Sequence, residues 1–110
     1  MKIRICAQND WTPGSVQEVR IGEENNVRNV IVLRHQHSYF AYLNSCPHTG
    51  VTLNWGNDQF FDLSGTYLQC AMHGALFEPS TGYCVWGPCH KQYLLKIPLT
   101  VEDGEVYVEV

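Results

Sequence analysis

Long apolar runs are missing from this sequence: no stretch approaches the roughly 20 residues that a membrane-spanning helix requires. The start has no apolar block either. Met1-Lys2-Ile3-Arg4-Ile5-Cys6 alternates polar and apolar residues, which predicts a first strand rather than a secretory signal. Basic residues are few, 7 against 11 acidic for a net charge of −4, and they form no run. That argues against a nucleic-acid partner, whose phosphates demand a basic footprint. Helical periodicity is hard to find, and there is no repeat, linker or low-complexity segment. The cysteine count of five is odd, a poor basis for a secreted disulfide framework, so a cytoplasmic location is expected. A length of 110 residues allows one domain with a modest core and leaves no room for a second catalytic unit.

What is present in quantity is strand signal. Asp10-Trp11-Thr12-Pro13-Gly14-Ser15 reads as a turn-rich connection. Val16 to Ile21 alternates as a strand, and Gly22 to Asn26 breaks it. Val30-Ile31-Val32-Leu33 is a continuous apolar, β-branched run that predicts a buried strand, with Tyr39 to Leu43 as its hairpin partner through Arg34 to Ser38. Phe60 to Leu63 and Thr66 to Gln69 form a further expected hairpin, tightened at Ser64-Gly65. Ala75 to Glu78 and Tyr83 to Trp86 flank a turn at Pro79-Ser80-Thr81-Gly82. Tyr93 to Val101, an Asp103-Gly104 turn and Glu105 to Val110 close the chain. The expected class is all-β, built of small antiparallel sheets.

Two short segments carry the chemistry, Cys46-Pro47-His48-Thr49-Gly50 and Cys70-Ala71-Met72-His73-Gly74, with 21 residues between His48 and Cys70. Two Cys and two His make a metal-site count. Structural zinc sites usually pair like ligands in each short motif, whereas both segments here are mixed. That suits two metal ions, one taking both sulfurs and the other both nitrogens, each segment spanning the pair. A structural zinc module is the competing reading. Colour separates the two: red-brown for iron–sulfur, colourless for zinc.

The mixed set resembles the Rieske family, whose [2Fe–2S] centre has two His in place of two Cys on one iron. The resemblance extends to Gly50 and Gly74 after the histidines, to Phe77, to Thr81-Gly82 and to Gly87-Pro88. It covers nearly the whole chain and is nearest to the small Rieske ferredoxins that feed bacterial oxygenases. It implies one [2Fe–2S] cluster per chain, with Cys46 and Cys70 on the inner iron and His48 and His73 on the outer one near solvent. It also implies a Rieske fold, in which a cluster-binding lobe at about 44–84 is inserted into a base made of 1–43 and 85–110. Gly50 and Gly74 would let the backbone turn closely and aim N–H groups at the sulfurs, and Pro88 would shield the third side.

The function so implied is one-electron transfer without a catalytic site of its own, from a flavin-containing reductase to a terminal oxygenase. The alternative is a small subunit of a larger redox enzyme, such as a nitrite-reductase-type assembly. An oxygenase in its own right would need a mononuclear iron site of two His and one carboxylate. Four ligands of this kind leave the oxidised site near neutral, which favours accepting an electron relative to an all-thiolate site. High-potential members of the family add an inter-loop disulfide, where this chain has Val51 and Met72. They also add a Ser and a Tyr hydroxyl near the cluster, where this chain has Ala75 and Phe77. A potential near the bottom of the family window, about −150 to +300 mV, is therefore expected.

Other residues have plainer readings. Cys84 and Cys89 flank the Gly87-Pro88 loop as inert buried thiols, a bracing disulfide or a functional thiol. Cys6 is expected in the core. His35 and His37 fall in a hairpin turn, and His90 is a surface residue. Asp58 and Asp62 are a weak metal hint in a hairpin longer than typical Rieske ferredoxins carry. Trp55, Phe60 and Phe61 concentrate aromatic surface there, and an exposed one would mark a docking patch.

Overall fold

Among the described residues, nine short strands and no helix follow from the alternating pattern. The computed structural model describes residues 2–22, 27–47, 53, 60–62, 64–70, 74–89 and 91–109. Within them β1 (Lys2–Ala7), β2 (Val16–Ile21), β3 (Arg28–His35), β4 (Ser38–Leu43), β5 (Leu68–Gln69), β6 (Leu76–Phe77), β7 (Cys84–Trp86), β8 (Leu99–Glu102) and β9 (Glu105–Glu109) form three antiparallel sheets of order β1-β9-β8, β2-β3-β4 and β5-β6-β7. Among the described residues no helix is long and apolar enough to cross a membrane. The chain divides into two compact units, residues 1–43 with 96–110, and residues 44–95.

The first unit holds two of the sheets. Val30, Ile31, Val32 and Leu33 are all fully buried, so the unbroken apolar run of β3 is covered on both faces, as a half-buried alternating strand would not be. Val30 and Val32 pack with Cys6, Ile21, Tyr39, Ala41, Ile97, Val106 and Val108 in one core. Cys6 is thus a packing residue. The β3–β4 turn is tighter than expected: His35 pairs with Ser38, which leaves only Gln36 and His37 in the loop, with Gln36 at φ 58°. His37 is exposed and His35 half-buried in this turn. Asp103 and Gly104 both take positive φ, 51° and 76°, the signature of the two-residue turn whose twist matches its flanking strands.

The expected strand from Tyr93 to Val101 is shorter in the structure. Only Leu99–Glu102 forms β8, while Tyr93 and Lys96 make isolated bridges, to Tyr83 and Tyr42 respectively. The two bridges belong to different units, and Pro98 has no N–H to extend a ladder. A continuous strand cannot serve both partners.

The second unit is built around β5-β6-β7 and carries both ligand segments. Of the expected 60–69 hairpin only Leu68–Gln69 is a strand, with Phe61 and Leu68 forming an isolated bridge. Its turn is organised by Asp62, whose backbone C=O accepts from Gly65 N–H at 2.9 Å.

Candidate metal centre

The second ligand segment is the tip of the β5–β6 hairpin. Leu68 pairs with Phe77 and Gln69 with Leu76, and the pairing continues as Cys70 N–H donates to the Ala75 carbonyl at 2.9 Å. Gly74 N–H then donates back to the Cys70 carbonyl at 2.8 Å. These two bonds tie Cys70 to Ala75 and Gly74, and Cys70 is fully buried. Gly74 has φ +71°, and a Cβ there would meet the Gln69 and Trp86 side chains only at 3.6 and 3.7 Å. The backbone conformation, rather than lack of space, selects glycine.

The first ligand segment is closed differently. Asn44, buried and polar, accepts a hydrogen bond on its side-chain Oδ1 from the Leu53 N–H at 2.7 Å. This contact joins the two ends of the 44–53 segment across Cys46, which is 2% exposed. Sequence reasoning did not single out Asn44. A polar residue two positions before a candidate ligand is a signal only once its burial is known.

The loop after β7 packs beside the second segment. Gly87 lies so near the second one that a Cβ would come within 2.7 Å of the Ala75 Cα. Burial first, and then the neighbouring Cys84 and Cys46 sulfurs, push the Cys89 thiol up to about 12. The Cys89 and Cys84 sulfurs are 3.1 Å apart, both are free thiols, and Cys84 in turn donates to the Trp86 carbonyl at 3.3 Å. Pro88 is exposed while Cys89 is fully buried. Backbone bonds pin the loop base, with Cys84 N–H to Gln92 C=O at 2.8 Å and Gln92 N–H to Cys89 C=O at 2.8 Å.

Of the four residues expected to hold metal, Cys46 and Cys70 are therefore buried thiols, one in each segment of the same unit. His48 and His73 lie outside the described residues, as do Gly50, Val51, Trp55, Asp58, Met72 and His90. Among the described residues no three His, Cys, Asp or Glu side chains form a metal site. Two buried sulfurs, on loops whose polar backbone ends are already satisfied, fit the thiolate half of a mixed sulfur-and-nitrogen cage.

The remaining signals resolve into structure. Asp62 accepts from the Ser64 hydroxyl at 2.9 Å and from the Thr66 and Tyr67 N–H groups, each at 3.2 Å. Partial desolvation pulls its carboxyl up, but these bonds together hold it below the usual carboxylate range. It caps a turn. Phe60 is buried and Phe61 half-buried, so neither is a docking surface. Among the described residues of this unit, the large exposed apolar side chains are instead Trp86, Tyr93 and Leu95.

Comparison with known proteins bears on the family. The model of the Rieske [2Fe-2S] domain family matches residues 1–105. Ferredoxin CarAc of Metapseudomonas resinovorans is 30% identical over 107 residues, covering 96% of this chain and 91% of that protein. The ferredoxin component of the p-cumate 2,3-dioxygenase system of Pseudomonas putida is 26% identical over 108 residues, covering 98% and 85%. Among solved structures, a chain in the complex of reduced oxygenase and oxidised ferredoxin of carbazole 1,9a-dioxygenase superposes with a TM-score of 0.71 at 27% identity, covering 97% of this chain and all of that one.

Proposed function

The chain belongs to the Rieske [2Fe-2S] domain family, and we propose that it is the ferredoxin of an oxygenase system, taking electrons singly from a flavin-containing reductase and passing them to a terminal oxygenase. The observation that carries this reading is co-extension with a ferredoxin: alignment with ferredoxin CarAc runs over 91% of that protein and 96% of this one. A subunit of a larger redox enzyme is the less supported alternative, because the curated relatives matched along nearly the whole of both chains are ferredoxin components.

In this reading Cys46 and Cys70 hold one iron and His48 and His73 the other. The bound cluster supplies reversible one-electron chemistry, with no bond made or broken in a substrate. The protein's own part is to keep the two thiols dry, to fix both loops, and to keep the centre close enough to the surface for transfer. Buried Cys46 and Cys70, the Asn44–Leu53 clasp and the hairpin closure at Cys70–Ala75 support the first two. Trp86 supports the third. It is 61% exposed, and its ring edge lies beside Gly74, next in sequence to His73. A cytoplasmic location goes with this reading, since five cysteines with no disulfide among them persist most readily in a reducing compartment.

The test is anaerobic purification followed by reconstitution. The expected protein is red-brown, contains two irons and two acid-labile sulfides per chain, and is reduced by a flavin reductase with its nicotinamide donor. It should then be reoxidised by a terminal oxygenase in the presence of oxygen and aromatic substrate. A colourless, sulfide-free protein carrying one zinc overturns the reading. A protein that holds the cluster but exchanges electrons with no free-standing reductase sinks the ferredoxin assignment while leaving the centre intact.

A further inference from the structure

Cys6 packs in the core of the first unit, and Cys46 and Cys70 are read as iron ligands. Cys84 and Cys89 remain. Both are fully buried, and the Cys89 thiol donates to the Cys84 sulfur at 3.1 Å. A disulfide bond is about 2.0 Å long, so roughly 1 Å of sulfur movement separates these thiols from a bridge. The backbone holds the approach. Cys84 N–H donates to the Gln92 carbonyl at 2.8 Å, Lys91 N–H to the Cys84 carbonyl at 3.2 Å, and Gln92 N–H to the Cys89 carbonyl at 2.8 Å. Gly87 and Lys91 take positive φ, 111° and 75°, at the turns of this segment. The entropy of closing the loop is therefore lost on folding, before any bond forms.

We propose that Cys84 and Cys89 are a reversible dithiol–disulfide pair, oxidised by hydrogen peroxide, whose bond clamps the 84–89 loop beside the second ligand segment. One sulfur attacks a peroxide oxygen, the O–O bond breaks, and the departing hydroxide takes that thiol's proton as water, leaving a sulfenic acid. The other sulfur attacks the sulfenic sulfur, the S–O bond breaks, and the second hydroxide leaves with the second thiol proton as water. The two thiols give up two electrons, and the peroxide ends as two waters. A dithiol reductant reverses the bond by exchange. With both sulfurs covered, oxidation waits on a small reagent and an opening of the loop, so the thiols persist in a reducing compartment and bridge under oxidative load. Two contacts between the cysteines carry the effect to the centre: the Trp86 ring lies beside Gly74, and Gly87 packs on Ala75 with no space for a Cβ. Gly74 and Ala75 directly follow His73. The clamp rests on the reading of the 70–73 segment as holding iron; the bond itself does not. It is also a different bridge from that of the family's high-potential members, whose positions are Val51 and Met72 here.

The experiment compares wild type, C84S and C89S as cluster-loaded proteins prepared without oxygen. Each is treated with stoichiometric hydrogen peroxide, quenched with catalase, denatured, alkylated and cut with chymotrypsin, whose cleavage after Trp86 separates the two cysteines. Treated wild type should yield the Cys84 and Cys89 peptides joined, and dithiothreitol should return both to free thiols. Chelator-driven loss of the visible bands should slow about threefold to tenfold in bridged wild type relative to reduced wild type, because a closed loop has fewer open states. Neither variant should gain this protection from treatment. The wild-type comparison stands even where a variant does not fold. The proposal is overturned if Cys84 and Cys89 stay separately alkylated after treatment, or if Cys46 and Cys70 are joined in their place. Bridged wild type that bleaches as fast as the reduced protein overturns the clamp. Absence of acid-labile sulfide from wild type would instead overturn the cluster reading, and the peptide map would still decide the bridge.

Discussion

Gly87 stands directly over Ala75, so close that a Cβ on Gly87 would come within 2.7 Å of the Ala75 Cα and 2.9 Å of its Cβ. Its φ of +111° adds a backbone conformation that L residues avoid. Leu76 pairs with Trp86, so these two residues meet just beyond the end of the β6–β7 ladder with no space for one methyl group between them, and Ala75 closes the loop that Cys70 opens.

G87A should therefore be costly twice over, through strain and through displacement of the loop. A loss of about 2–4 kcal/mol is expected from such a backbone clash combined with positive φ. Chemical denaturation of the loaded protein measures it. Faster cluster loss on dilution should accompany the shift. A variant as stable as wild type would mean that the loop is not packed on the second ligand segment.

Asn44 makes a different prediction. N44A leaves the Leu53 N–H without its side-chain acceptor in a buried position, which costs about 1–3 kcal/mol. N44D retains an acceptor oxygen and should retain more of the stability. Both are read by urea unfolding, and by the rate at which chelator bleaches the visible bands. Equal bleaching in N44A and wild type would remove Asn44 from the support of the first ligand segment.

Burial alone pushes the Tyr42 phenol up from 10.0 to about 12. A raised folded-state value means that the neutral form is favoured in the native protein. Its contribution is full below about pH 10 and is lost as pH rises from there towards 12. Each pKa step corresponds to about 1.4 kcal/mol. Stability measured from pH 9 to 12 should fall, and Y42F should fall less steeply over that window. Parallel curves for the two proteins would contradict the burial argument.

The potential should lie low in the family window of about −150 to +300 mV, because the buried Ala75 and Phe77 side chains have no hydroxyl to donate. Adding one in F77Y should raise the midpoint, as a donor favours the more negative reduced state. Spectroelectrochemical titration measures both. A wild-type midpoint well above zero would refute the argument from missing donors.

Removal of a ligand gives the plainest outcome. C46S, C70S, H48A and H73A should each abolish the visible bands and release iron and sulfide, since each removes one of the four proposed ligands. Retention of a native spectrum in any of these would take that residue out of the proposed ligand set.

The sequence by itself determined the strands and the sulfur half of the candidate site. Alternation in Val16–Ile21, the unbroken apolar run Val30–Leu33 and the Asp103-Gly104 turn are local signals. Their physics acts within a few residues, through side-chain period and allowed φ, and the structure repeats them. The Cys46 and Cys70 spacings were equally legible, because each short segment carries its ligand type openly. Only the tertiary structure decided what surrounds those thiols. Asn44 with Leu53, Gly87 with Ala75, and Cys89 with Cys84 are contacts set by packing in three dimensions. The ending of β8 at Leu99 was hidden for the same reason: the residues before it are shared between partners in two different units. A linear pattern records which face a residue prefers but not which distant loop will cover it.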